Sequence, residues 1–112
     1  MFPEDYPVTC HAVSGYSGGG KKMIAAMESE NKTKEMYSPR QYALGQKHKH
    51  IPEMQAVCGL KYKPMFNPIV DDYYNGMVVS VPLVTRCLTK KYTPENIHEI
   101  CLLYTSPSPR DR

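Results

Sequence analysis

The sequence predicts an α+β fold, or a mixed α/β layer, for a single domain or a part of one. Predicted strands and helices follow one another without the regular alternation that is typical of a parallel sheet. An apolar run over residues 77–84 is the strongest strand signal, and a glycine-rich turn at residues 15–20 separates the first strand from the first helix. A chain of 112 residues is too short for more than one domain.

The first part of the chain predicts a strand, a turn and a helix in that order. Apolar and polar side chains alternate along residues 6–13, which is typical of a strand with one buried face. Residues 15–20 contain four glycines, whose tolerance of positive φ suits a tight turn. Residues 21–30 are rich in strong helix formers. Three apolar residues recur on one face of this helix: Met23, Ile24 and Met27.

The middle of the chain predicts a short strand and a second helix. A polar connector covers residues 31–40, and residues 42–44 form a short strand. Proline is preorganised for the first helical position, so Pro52 predicts a helix over residues 53–60. Gly59 falls near the end of this helix, where glycine is common.

Two further strands and a third helix complete the predicted elements. Residues 65–70 form a strand, which we place at an edge of the sheet because Pro68 cannot donate a ladder hydrogen bond. Residues 77–84 form the next strand. Thr93 is the predicted N-cap of the third helix, with Pro94 at its first position.

The composition excludes several classes of function. The formal net charge of +3 suits a phosphorylated or carboxylate substrate, and it is too small and too scattered to indicate nucleic-acid binding. No apolar run is long enough to cross a bilayer. The N-terminus lacks the basic and apolar parts of a signal peptide. We therefore expect a cytoplasmic protein without a nucleic-acid or membrane partner.

The four cysteines are predicted to be free thiols in a reducing compartment. They are widely spaced and form no CxxC motif. Cys10 in the first strand and Cys58 in the second helix have apolar neighbours, among which cysteine behaves as a small buried hydrophobe. Neither has the helix N-terminus or the basic neighbours that lower a thiol pKa, so we predict that neither is a nucleophile. The other two are Cys87 and Cys101.

The glycine-rich turn permits three interpretations. A helix N-terminus after glycines favours an anionic ligand, and the paired lysines that follow favour it further. Gly15, Gly20 and Lys21 also match a P-loop, which would make the chain a free-standing anion- or nucleotide-binding module. Against this, Lys22 stands where a P-loop has the Ser or Thr that holds magnesium. The third interpretation is a turn that merely reverses the chain.

The segment His48-Lys49-His50-Ile51-Pro52-Glu53 is the second candidate site. If the chain is extended there, His48 and His50 face the same way and Glu53 lies one short turn beyond. Two histidines and a carboxylate could ligate a metal, but Lys49 opposes a cation and we find no convincing further ligand, so we expect no metal. A more specific alternative is an acid–base histidine that a carboxylate orients. The remaining alternative is a solvated basic loop.

Three motifs carry a resemblance to a known family. They are HAVSGYSGGGKK at residues 11–22, YAL followed by HKHIPEMQ within residues 42–55, and MVVSVPL at residues 77–83. Together they resemble the short form of the N-acetyl-gamma-glutamyl-phosphate reductases over nearly all of residues 6–100. The resemblance implies an NADPH-dependent oxidoreductase of arginine biosynthesis. Such an enzyme converts N-acetyl-glutamyl 5-phosphate to N-acetyl-glutamate 5-semialdehyde and phosphate.

The resemblance also implies a fold and an assembly. The family combines an N-terminal dinucleotide-binding domain with a second α+β domain, whose sheet is mixed and largely antiparallel. This second domain is the catalytic domain of semialdehyde-dehydrogenase-like reductases, and the intact enzyme is expected to be a homo-oligomer. Residues 1–100 are expected to be a part of that domain, which carries the substrate and dimerisation surfaces.

The family mechanism assigns roles to individual residues. A cysteine thiolate attacks the acyl phosphate, phosphate leaves, and hydride from NADPH reduces the resulting thioester. A histidine activates the thiol and later protonates the developing alkoxide. By motif position this histidine is His48, with His50 as the alternative and Glu53 as the orienting partner. The residues expected to contact the cofactor or the substrate phosphate are Ser17, Gly18, Gly19 and Lys21.

The sequence departs from the family in two ways. It contains no strand–GxGxxG–helix unit for the dinucleotide, and it lacks the Gly-Cys motif of the nucleophile. Cys10 lies in the strand motif and is not that nucleophile. We therefore expect that the chain alone neither binds NADPH tightly nor turns over substrate.

The end of the chain has a separate interpretation. Residues 101–112 resemble a translated sequencing adaptor, so we expect them to be a non-native tail. The alternative is a genuine polar tail.

Overall fold

A computed structural model describes residues 2–104 of the chain, which divides into two compact units. The unit Glu4–Leu83 carries the sheet and two helices. Its strands and α-helices are β1 (Thr9–Gly15), α1 (Lys21–Met27), β2 (Arg40–Gln41), α2 (His50–Cys58), β3 (Met65–Asp71) and β4 (Met77–Ser80). The other unit is described here for residues 2–3 and 84–104, and it contains α3 (Pro94–Tyr104).

The four strands of the first unit form one mixed sheet in the order β2-β3-β1-β4. β1 is parallel to β3, whereas β4 runs antiparallel to β1 and β2 antiparallel to β3. Two of the three strand pairs are therefore antiparallel, although the parallel pair is the longest. The predicted α+β class with a mixed sheet is confirmed.

The core of this unit lies on one face of the sheet. Ala12 of β1 and Val70 of β3 are buried on that face, whereas His11, which points the opposite way, is exposed. Met27 of α1 and Ile51 of α2 are buried as well. The predicted apolar face of the first helix is confirmed by the burial of Met27, although the helix ends three residues earlier than residue 30.

The prediction that β3 lies at an edge is wrong, because β3 is central despite Pro68. The backbone groups of alternate β3 residues point away from β1. On that side Phe66 N–H donates to Gln46 Oε1 (3.0 Å), and Pro68 C=O accepts from Tyr42 N–H (3.1 Å). The two-residue β2 has already ended there. The N–H that proline lacks is therefore not one that β1 needs.

The predicted strand over residues 42–44 is also wrong. The observed strand is Arg40–Gln41, and the chain then leaves the sheet. Ala43 has φ of 54°, in the left-handed region that no strand residue adopts.

α2 begins at His50, three residues before the predicted start. Pro52 occupies the third helical position, where its missing N–H is still among the four that have no partner within the helix. Gly59 ends the helix as expected, with φ of 65° in the left-handed conformation that suits glycine.

β4 is shorter than predicted and is an edge strand. It ends at Ser80 because Pro82 lacks the N–H that would extend the ladder. Its apolar side chains remain exposed, with 65% of Val78 accessible. An edge strand with exposed apolar side chains is a surface that needs a cover.

The N-cap of α3 is confirmed. Thr93 Oγ1 accepts a hydrogen bond from Asn96 N–H (3.1 Å), and Asn96 Oδ1 accepts one from Thr93 N–H (3.1 Å). This is a capping box in which asparagine takes the place of the usual glutamate. The helix continues to Tyr104, while residues 105–112 of the proposed non-native tail lie outside the described residues. No helix within residues 2–104 has the length and apolar character needed to span a bilayer.

Candidate functional site

A cavity of about 610 Å³ opens on the face of the sheet that carries the core. Alternate residues of three strands line it with mostly apolar atoms. They include Cys10 and Ala12 of β1, Phe66 and Pro68 of β3, and Met77 and Val79 of β4. A cavity of this size suits a small organic ligand or part of a cofactor.

The cavity is also lined by residues of the two segments that the sequence singled out. Gly18 and Gly19 of the glycine-rich turn line it together with His48, His50 and Glu53. Two segments about thirty residues apart in the chain therefore share one cavity. Ser17 and Lys21, which were predicted with them, are not part of the lining.

His50 and Glu53 form a hydrogen-bonded pair in the first turn of α2. His50 Nδ1 lies 2.8 Å from Glu53 Oε2. Because a carboxylate only accepts, His50 donates from Nδ1–H, and Nε2 of the neutral ring keeps its lone pair. The side chains are 51% and 66% exposed, so solvent screens the pair and its main effect is to orient the ring.

His48 is held by a different contact. Its Nδ1 accepts a hydrogen bond from the backbone N–H of His50 (3.1 Å). The neutral His48 ring therefore carries its proton on Nε2. The ring centroid lies 4.9 Å from that of His50 and 5.1 Å from that of Phe66, which it meets edge to face.

Two details of the predicted histidine site are corrected by this geometry. The chain is not extended between the histidines, because Lys49 has helical φ and ψ of −58° and −27°. The rings still meet, because His48 folds back over the start of α2. Glu53 hydrogen-bonds to His50 and not to His48, since residues three apart on a helix are neighbours.

The glycine-rich turn is held by the loop that joins β3 to β4. Gly15 N–H donates to Gly76 C=O (3.0 Å), Tyr16 N–H to Tyr73 C=O (2.9 Å) and Ser17 N–H to Tyr74 C=O (2.9 Å). A Cβ on Gly15 would lie 2.7 Å from the carbonyl oxygen of Tyr74. Only glycine permits so close an approach of the two backbones.

The same contacts argue against a P-loop. In a P-loop the backbone N–H groups of the turn bind phosphate, whereas here the N–H groups of Gly15, Tyr16 and Ser17 bind carbonyl oxygens. Lys21 is exposed and does not line the cavity. Gly20 has φ of 90° and ψ of −179°, a conformation that is nearly exclusive to glycine, and it serves to start α1.

The cysteines fit the prediction in part. Burial raises the pKa of the Cys10 thiol, which keeps it protonated at neutral pH and makes it a poor nucleophile, although it lines the cavity. Cys58 was expected to be buried, but it is the last residue of α2 and is exposed. The metal-site interpretation gains no support, because no three His, Cys, Asp or Glu side chains gather at one point within the described residues.

Two residues near the histidines were not predicted from the sequence. Phe66 lines the cavity and contacts His48, and the side chain of Gln46 hydrogen-bonds to both the N–H and the C=O of Phe66. Strand periodicity could have found Phe66, because it shares a face with Pro68 and Val70. No local signal marks Gln46, whose partner lies twenty residues away.

Comparison with known families identifies one match. The model of the semialdehyde dehydrogenase dimerisation domain matches residues 1–106. No solved structure gives a match to the chain.

The curated proteins that the chain resembles include two bacterial reductases. N-acetyl-gamma-glutamyl-phosphate reductase of Sinorhizobium fredii is 46% identical over 99 residues, which cover 88% of this chain and 32% of that protein. The reductase of the same name from Burkholderia orbicola is 39% identical over 104 residues, covering 93% of this chain and 33% of that protein. The chain spans about a third of the length of the curated relatives it matches.

Proposed function

Because the chain belongs to the semialdehyde dehydrogenase dimerisation domain family, we propose that it is the corresponding region of an N-acetyl-gamma-glutamyl-phosphate reductase. The whole protein is then an oxidoreductase of arginine biosynthesis that reduces N-acetyl-glutamyl 5-phosphate to the semialdehyde and releases phosphate. The observation that carries this proposal is the shared cavity, which brings Gly18 and Gly19 together with the His50–Glu53 pair. The names of the relatives favour this function over a free-standing P-loop-like module.

The cofactor of the proposed reductase is NADPH, which supplies hydride when bound. The chain has no strand–GxGxxG–helix unit to hold a dinucleotide. The cofactor is therefore bound chiefly by another part of the protein. Gly18 and Gly19 fit a supporting role, because they lie on the cavity and have no side chain to keep a ligand at a distance. Contacts of Ser17 and Lys21 with the ligand phosphate remain a prediction.

The two histidines suit different parts of the reaction. Glu53 fixes the His50 proton on Nδ1, so Nε2 is free to accept a proton from the attacking thiol. His48 keeps its proton on Nε2, because its Nδ1 is occupied by a backbone N–H. It can therefore donate a hydrogen bond to the developing alkoxide, which takes its proton from the His50 imidazolium that formed when the thiol was deprotonated. We assign His50 as the base and later acid, and His48 as the hydrogen-bond donor, whereas the family mechanism first gave the proton transfer to His48 with His50 as the alternative.

The reacting thiol comes from outside this chain in the proposed mechanism. The Cys10 thiol stays protonated because burial raises its pKa, and no Gly-Cys motif of the expected kind is present.

We further propose that the whole protein is a cytoplasmic homo-oligomer. The match to a dimerisation domain supports association of like subunits. The exposed apolar side chains of β4 supply a surface that such contact would cover.

A chimera tests the proposed function. The 99-residue matched segment of the Sinorhizobium fredii reductase is replaced by the corresponding segment of this chain. We expect the chimera to oxidise NADPH when the acyl phosphate is present, and the isolated chain 1–112 to show no such activity. A folded chimera that oxidises NADPH no faster with substrate than without it would contradict the proposal, as would turnover by the isolated chain.

A further inference from the structure

The loop between β2 and α2 has an unusual backbone. Ala43 and Gln46 have φ of 54° and 56°, in the left-handed region that residues other than glycine seldom adopt. Such a conformation persists only where surrounding contacts hold it in place. Contacts with the rest of the protein must therefore hold the backbone of Gln46 in this conformation.

The side chain of Gln46 binds both backbone groups of Phe66. Gln46 Nε2 donates to Phe66 C=O (2.8 Å), and Phe66 N–H donates to Gln46 Oε1 (3.0 Å). Both bonds are partly buried. The amide thus occupies the place of a strand residue beside β3, just past the point where β2 ends.

This attachment lies next to the candidate catalytic histidines. Phe66, whose backbone Gln46 holds, places its ring edge to face against His48, with centroids 5.1 Å apart. His48 Nδ1 accepts from His50 N–H, and His50 Nδ1–H donates to Glu53. Gln46 is also two residues from His48 along the chain. Its amide therefore holds both the loop that carries His48 and the backbone of Phe66, whose ring contacts His48.

We propose that Gln46 is a positioning residue for the candidate catalytic histidines. It acts by tying the loop to β3, so that His48 keeps its Nδ1 on the His50 N–H and both rings line the cavity. This inference deepens the proposed reductase function and rests on it. A glutamine is suited to the task because one amide supplies both a donor and an acceptor.

Two substitutions in the chimera test the proposal. Gln46→Leu removes both hydrogen bonds, and Gln46→Glu keeps an acceptor for Phe66 N–H but sets a carboxylate oxygen against Phe66 C=O. Gln41→Leu is the matched control, because Gln41 also hydrogen-bonds to β3, at Asn67 Oδ1 (3.1 Å), and does not line the cavity.

We expect both Gln46 variants to lower kcat by about 10- to 100-fold with little change in KM, because displaced catalytic groups weaken transition-state binding more than substrate binding. The control is expected to retain kcat. Histidine ¹⁵N spectra supply a readout that does not depend on activity. The unsubstituted chimera is expected to show His48 with Nδ1 unprotonated, and the Gln46 variants are expected to lose this fixed tautomer.

The possible outcomes distinguish the positioning role of Gln46 from the proposed reductase function. If the Gln46 variants keep both the kcat of the control and the His48 spectrum, the positioning role is overturned while the reductase function stands. If the unsubstituted chimera is inactive but the spectrum changes as expected, the reductase function fails and the structural effect of Gln46 is retained. Should Gln46→Leu fail to fold, Gln46→Glu carries both measurements.

Discussion

At the scale of single residues, His50 and Glu53 owe their pairing to helical spacing. Residues three apart in a helix lie side by side, so the start of α2 at His50 brings ring and carboxylate within 2.8 Å. The residue types at this site were predictable from the sequence. The partner of Glu53 was not, because it depended on whether residues 48–50 were extended or helical.

Substitution of the pair tests its proposed role in proton transfer. In the chimera, His50→Gln is expected to lower kcat by about 10²- to 10⁴-fold, the usual contribution of a general base. Glu53→Gln is expected to lower kcat by a smaller factor, because it leaves the base in place and only loosens its orientation. Steady-state kinetics give both values, with Glu30→Gln, an exposed carboxylate outside the cavity lining, as the control. Unchanged kcat in His50→Gln would remove His50 from the mechanism.

The thiols of Cys10, which is partly buried, and of Cys58, which is exposed, are expected to differ in reactivity. Burial raises the pKa of Cys10, so its thiolate forms only at a pH above the ordinary range for a cysteine. Alkylation of Cys10 by iodoacetamide should therefore be slow at neutral pH and should accelerate as the pH rises. Cys58 is exposed and should react first. Mass spectrometry of peptides from a time course measures both, and faster labelling of Cys10 at neutral pH would contradict the expectation.

At the scale of elements, the glycine-rich turn and the loop between β3 and β4 form one backbone-bonded structure. Three consecutive N–H groups from residues 15–17 bind carbonyl groups of residues 73, 74 and 76. The sequence predicted the turn, because glycine clusters reflect local steric limits. It could not predict the receiving loop, which lies more than fifty residues further along.

A pair of glycine substitutions tests this structure. Gly15→Ala puts a methyl group against backbone atoms of Tyr74 and Asn75, so we expect a loss of about 1–3 kcal/mol in the free energy of unfolding. Gly18→Ala is the control, because nothing lies within 4 Å of its added Cβ, and a change of about 0.5 kcal/mol or less is expected. Unfolding midpoints of the two chimeras in urea make the comparison. Equal midpoints would show that the two backbones are not tightly apposed.

At the scale of the whole molecule, β4 forms an apolar edge of the sheet in the unit Glu4–Leu83. Its side chains point to both faces and remain exposed. The sequence predicted a strong strand here, and the structure has a shorter strand, Met77–Ser80, at the edge of the sheet. Contact with a second subunit in the proposed homo-oligomer would cover this edge, which accords with membership of a dimerisation-domain family.

Association of the isolated chain tests the role of this edge. We expect the chain to self-associate or to be poorly soluble, because an exposed apolar edge strand pairs readily with another. Val78→Lys should increase the monomer fraction in size-exclusion chromatography. Val57→Lys is the control, since Val57 is 86% exposed on α2, away from the sheet edge. Equal monomer fractions in the two variants would locate the association elsewhere.

Local features of the protein followed from the sequence alone. The glycine-rich turn, the caps at Thr93 and Gly59 and the alternation of β1 depend on backbone sterics and on neighbours a few residues apart. Tertiary structure alone decided the strand order, which made β3 central despite Pro68, and the attachment of Gln46 to Phe66. Both depend on contacts between distant residues, whose partners no local pattern specifies.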